Sequence, residues 1–175
     1  SQLEIAKSGD LYLPADDSFL KTAVQKKIVR EMLPLARMQV GLAVPKGNPH
    51  GVSTLQDAID KKLRIVQANP DAAAVAKLTR EFLTQAGTWE QLREATTAER
   101  TTVTDVANDL LVGAADVGIV YDAVLHTYPK LEFVKVPELA DAASEIAVGV
   151  LGYSKQPAAA LHFARYVTAT DRGLN

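Results

Sequence analysis

The chain has 175 residues, enough for one large domain or two small lobes, and either can bury a core. Nineteen Lys and Arg against 21 Asp and Glu leave a net charge of −2, which gives no electrostatic footprint for nucleic acid or an anionic membrane surface. The lack of cysteine excludes disulfides, thiolate metal sites and a cysteine nucleophile, and no apolar run approaches the ~18 residues of a membrane-spanning helix.

In chain order, short apolar runs alternate with amphipathic stretches, the pattern of an α/β architecture. Asp10–Ala15 reads as a strand and 18–29 as a helix. Met38–Pro45 is a second strand, apolar enough to be buried on both faces. The Gly/Pro/Asn loop Lys46–Gly51 is the best candidate boundary between lobes. Ser53 to Gln56 has capping-box spacing and predicts a short helix, followed by a brief strand over Arg64–Gln67. From Asp71 the spacing turns helical, with Val75, Leu78, Phe82 and Ala86 on one face and Gly87 as the stop. Trp89–Ala95 reads as a further helix, and Thr102-x-x-Asp105 caps another that carries Val106, Leu110 and Leu111 and ends near Gly113. Ala115–Tyr121, Leu131–Val136 and Glu145–Leu151 are strands. Pro157 opens a terminal helix with Leu161, Ala164 and Val167 inward and Gly173 beyond it. Strands separated by helices imply parallel pairing with right-handed crossovers.

His50, His126 and His162 stand at no metal-binding spacing, and no nucleophile elbow, Walker loop or dinucleotide fingerprint is present. With no convergent set of titratable groups, catalysis is not expected, nor is a metal ion or a cofactor. Three places could hold an anion. Two are helix starts, where unpaired N–H groups and the helix dipole attract oxyanions without a cationic side chain: the loop Asn69-Pro-Asp-Ala-Ala-Ala-Val75, and Thr101-Thr-Val-Thr104. The third is the phenol of Tyr121, at the carboxyl end of a strand, where open α/β sheets place ligands. Taken singly, each helix start also has the look of ordinary capping.

Order and spacing add a family resemblance. The run Gln2-Leu-Glu-Ile-Ala-Lys-Ser-Gly-Asp-Leu-Tyr-Leu-Pro-Ala-Asp16, the strand Val40-Gly-Leu-Ala-Val-Pro-Lys46, the loop Asn69-Pro-Asp with its helix to Gln85-Ala-Gly-Thr-Trp89, the strand Val117-Gly-Ile-Val-Tyr121 and the helix segment Phe163-Ala-Arg-Tyr-Val167 together resemble the periplasmic molybdate-binding proteins. The resemblance implies the α/β fold of type 2 periplasmic binding proteins, with two lobes of mixed, mainly parallel sheets. Lobe I would comprise 1–45 and 144–175, and lobe II 46–143. It also implies a tetrahedral oxyanion, molybdate or tungstate, held between the lobes and delivered to the membrane subunits of an ABC transporter. The location would be periplasmic or otherwise extracytoplasmic.

Carried over by position, the resemblance puts backbone N–H contacts at Val75 and Val103, flanked by Ala74 and Thr102, and a hydroxyl contact at Tyr121. The family's Pro-Ala-Gly is replaced by Ala74-Val75-Ala76, so a β-branched side chain narrows the approach to the helix start. The family's serine contacts and its opening strand–helix–strand have no counterpart after Ser1. This leads us to expect that lobe I is incomplete by roughly 40–50 residues, with a signal peptide further upstream. An incomplete lobe I would expose apolar surface through which two copies could pair. The alternative is the effector-binding domain of a transcription factor, which would need a DNA-binding helix-turn-helix upstream.

Overall fold

The computed structural model describes residue 5, residues 7–14, residues 17–171 and residue 173. The chain divides into two compact units, one formed by 1–37 with 145–175 and the other by Met38–Ser144.

In the discontinuous unit, the expected strand at Asp10–Ala15 is reduced to β1, Leu11–Tyr12, which pairs antiparallel with β7, Ala143–Leu151. Ala15 and Asp16 lie outside the described residues, as do Ser1 to Glu4. Helix α1, Asp17–Gln25, is shorter than the expected 18–29. Lys27 takes a left-handed φ of +57°, a conformation that ends a helix, and Val29 already begins β2. That strand runs from Val29 to Pro45, so residues 29–37 are strand where none was expected. Two small cores serve this unit: Leu20, Val29 and Leu151 in one, and Val148, Val150 and Ala164 in the other. On the terminal helix α6, Pro157–Thr168, Ala160 and Ala164 are buried, while Leu161 and Val167 are only half-buried. The inward face is therefore rotated from the expected one.

The continuous unit begins at Met38, before the Gly/Pro loop, so the strand Met38–Pro45 belongs to it rather than to the first lobe. The cause is packing. Val40, Leu42, Ala43 and Val44 are buried in the main core, and this stretch pairs antiparallel with β5, Val117–Tyr121, and with β6, Leu131–Val134. Beyond β5 the strand order continues with β3, Ile65–Ala68, and β4, Thr96–Arg100. The sheet of this unit is mixed: β3 is parallel to both β4 and β5, whereas β2 pairs antiparallel with β5 and β6.

Four helices of this unit are placed by their caps and apolar faces. α2, Leu55–Asp60, starts one residue later than expected, with Thr54 as N-cap and Asp57 closing the capping box. The Asp57 carboxylate wins over Gln56 because an anion accepts strongly from several donors at once. It takes the Ser53 amide and hydroxyl and the Thr54 amide. α3, Ala74–Gln85, buries Val75, Ala76, Thr79 and Leu83 rather than the expected face, with Leu78 and Phe82 packed at its margin. α4, Trp89–Ala95, and α5, Val103–Leu111, follow the sequence reading closely.

Candidate oxyanion site

Three neighbouring strands set the frame. β5, β3 and β4 adjoin in that order and run parallel, so Tyr121, Ala68 and Arg100 all stand at the same, carboxyl edge of the sheet. Strand directions fix which edge receives the loops, and open α/β sheets place ligands there.

From Ala68 the chain enters the loop that starts α3. Asn69 organises it. Its side-chain Oδ1 accepts from the Asp71 amide at 2.8 Å, and its carbonyl accepts from Ala72 at 3.0 Å and Ala73 at 2.9 Å. These bonds turn the chain at once, as Asn commonly does. Arg80 then clips Asp71 at 2.9 Å. The N-cap of α3 is Ala73, which has no side-chain acceptor, and the first turn contains no acidic residue. Among the described residues, no hydrogen bond is made by the N–H groups of Ala74, Val75 or Ala76. Three donors therefore stand unbonded at the positive end of a 12-residue helix.

From Arg100 the chain enters α5. Thr102 caps it: the hydroxyl accepts from the Asp105 amide at 3.1 Å, while the Thr102 amide and hydroxyl both donate to the Asp105 carboxylate at 3.1 and 2.7 Å. Thr102 thus commits both its donors to the cap, and the amides of Val103 and Thr104 make no bond among the described residues. Arg100 itself bonds Asp109 on α5 at 2.7 Å, fixing the helix against the strand end.

Tyr121 closes β5. It is 7% exposed, packs in the main core, and its Cα partner in β2 is Val40. Of the residues singled out in the sequence, Ala74 and Val75 are thus the first two of α3, Val103 is the first of α5, Thr102 is its cap and Tyr121 ends the adjoining strand. Sequence reasoning singled out the Asn69 loop but missed Arg80 and Arg100, which hold the loops. Asn-Pro-Asp was a visible turn signal, but the partners of the two arginines are set by tertiary packing. Among the described residues no three of His, Asp and Glu gather as a metal ion's ligands.

The uncapped start of α3 and the Thr102-capped start of α5 lie at the carboxyl edge of a parallel run, the place where open α/β proteins of the ligand-binding class take their ligands. The chain belongs to the bacterial extracellular solute-binding protein family, whose model matches residues 1–172. Molybdate-binding protein ModA of Mycobacterium tuberculosis is 26% identical over 171 residues, 97% of this chain. The chain spans 64% of that protein's length. Among solved structures, the substrate-binding domain assigned to a molybdenum ABC transporter of Clostridium difficile has a TM-score of 0.82 at 23% identity, over 98% of this chain and 75% of that one. A periplasmic thiamin-binding protein has 0.72 at 14%, over 97% and 64%. Iron-bound HitA of Pseudomonas aeruginosa has 0.77 at 12%, over 98% and 69%. These likenesses show the fold, that of the type 2 periplasmic binding proteins. The cargoes of these neighbours differ, so the fold alone does not choose the ligand.

Proposed function

We propose that this chain is the anion-binding part of the solute-binding component of an ABC transporter, acting outside the cytoplasmic membrane, with molybdate or tungstate as its ligand. The observation that carries the reading is the uncapped start of α3, whose three unbonded amides stand at the same sheet edge as the α5 amides and Tyr121. The curated relatives point to molybdate, and the extracellular family favours transport over the regulatory-domain alternative. The protein delivers its ligand to membrane subunits and leaves it chemically unchanged.

Charge supports a fully deprotonated oxyanion. Monohydrogen phosphate brings a proton that needs a carboxylate acceptor, whereas molybdate at neutral pH needs only donors. The acidic residues near the loops are engaged within the protein: Asp71 by Arg80, Asp105 by Thr102, and Asp122 by the amides of Gln39 and Ala123. Calorimetric titration of the full-length protein with molybdate, tungstate, sulfate and phosphate tests the proposal. Tight binding of the first two, with phosphate at least about a hundredfold weaker, is expected; a preference for phosphate would refute it.

A further inference from the structure

Gln39 lies beside the point where β2 enters the Met38–Ser144 unit, and it gathers three chain segments. Its side-chain Nε2 donates to the carbonyls of Leu139 at 2.6 Å and Ala142 at 2.8 Å, with a longer contact to the Val40 carbonyl at 3.3 Å. An amide oxygen turned toward these carbonyls would be repelled, so chemistry fixes the orientation. The Gln39 backbone N–H donates to Asp122 Oδ1 at 3.0 Å, and the same oxygen accepts from Ala123 at 2.7 Å. The next residue repeats the pattern: Val40 N–H donates to the Ala142 carbonyl at 2.8 Å, and Val40 faces Tyr121 in the β2–β5 register.

Leu139 and Ala142 are fully buried residues just before the chain leaves the unit through β7. Each carbonyl already accepts one backbone N–H, Leu139 from Ala142 at 3.0 Å and Ala142 from Val40 at 2.8 Å, and Gln39 gives each a second donor away from water. The entering strand, the exit segment 139–142 and the turn after Tyr121 are thereby joined at one side chain and its flanking amides.

We propose that Gln39 is a positioning residue: it holds Tyr121 and the Asp122 turn to the two segments by which the chain enters and leaves this unit, so that occupancy at Tyr121 alters the ordering of both. The binding half of this proposal rests on the ligand reading above; the positioning half stands without it.

The test is a set of three substitutions in the full-length protein, read by hydrogen exchange without ligand and by molybdate titration. Gln39→Glu keeps the shape but has no donor, Gln39→Leu removes the polar group, and Gln39→Lys restores donors through its ammonium. Glu and Leu should speed amide exchange at Val40 and in the 121–125 turn about tenfold or more, and weaken molybdate binding by about tenfold. Lys should stay close to wild type in both readouts. Wild-type exchange in Glu and Leu overturns the proposal, and so does a loss in Lys equal to that in Leu, which would mean packing alone. Faster exchange with unchanged affinity overturns the link to Tyr121. A wild-type protein that binds no molybdate refutes the ligand assignment instead, and exchange then decides the role of Gln39. Should Glu and Leu fail to fold, Asp122→Ala breaks the same node from its other side and should speed exchange in the 121–125 turn; wild-type exchange there overturns the proposal.

Discussion

The backbone N–H of Asn69 donates to the carbonyl of Arg100 at 2.8 Å, and this bond joins the loops that begin α3 and α5. It extends the parallel β3–β4 ladder one rung past Ala68↔Arg100. The loops that lead into α3 and α5 are therefore tied together at their roots.

Asn69→Ala keeps that backbone bond but removes the Oδ1 acceptor for Asp71. The loop loses one local bond of about 0.5–1.5 kcal/mol, and the amides of 74–76 lose their fixed direction. Molybdate affinity is expected to fall by roughly threefold to tenfold with little change in Tm. Asn69→Ser, which offers a neutral side-chain oxygen as acceptor without adding charge, should bind more tightly than the alanine variant; calorimetry on the pair decides.

Gly118 sits on β5 where α5 crosses it. A Cβ there would meet Val106 Cγ1 at 2.6 Å and Leu110 Cδ1 at 3.1 Å, so the short Val106 side chain, and the helix that carries it, must shift. Overpacking of this kind costs about 1–3 kcal/mol. Gly118→Ala should lower Tm and also weaken ligand binding, because the start of α5 moves with the helix. Wild-type affinity in a destabilised variant would show that the α5 amides do not contact the ligand.

Thr102→Ala removes the N-cap acceptor and should cost about 0.5–2 kcal/mol in chemical denaturation. Since Asp105 already takes both Thr102 donors, the hydroxyl is expected to act through α5 rather than on the ligand. Thr102→Ser should restore both stability and affinity.

Acid stability has a named source. The Arg64 guanidinium bonded to Asp116 holds that carboxyl down at about 2, against an ordinary value of 3.8. A carboxylate whose folded pKa is depressed adds stability above its unfolded value and loses it as pH falls through the folded one. Asp116→Asn should therefore lower Tm at pH 7, and the gap to wild type should close between about pH 4 and pH 2. A gap that persists at pH 2 would mean that the charge is not what stabilises.

The parts legible in the sequence were those with local causes. β5 and the second half of β2 are continuous apolar runs because they are buried in the sheet, and the Thr102–Asp105 box is a three-residue signature. β4 escaped because Thr96-Thr-Ala-Glu-Arg100 has one apolar residue and lies at the sheet's edge, where exposed side chains are tolerated. Residues 29–37 escaped because Pro34 and flanking charges argue against a strand, although Pro is admissible where a ladder bond is not required. The α3 face was misjudged because Thr79 is buried by donating its hydroxyl to the Val75 carbonyl at 2.8 Å, a polar residue made compatible with the core. The antiparallel placement of β2 against β5, which sets Val40 opposite Tyr121, depends on long-range pairing that no local pattern encodes.

The central claim is that an oxyanion is held at the carboxyl edge of β5, β3 and β4, with the Tyr121 hydroxyl among its donors. The most direct measurement is the dissociation constant for molybdate of the full-length protein and of its Tyr121→Phe variant, by calorimetry at one pH and salt concentration. Loss of one hydrogen bond to a charged ligand is worth about 1.5–3 kcal/mol, so the constant should rise roughly ten- to hundredfold. Equal dissociation constants for the two proteins would contradict the account.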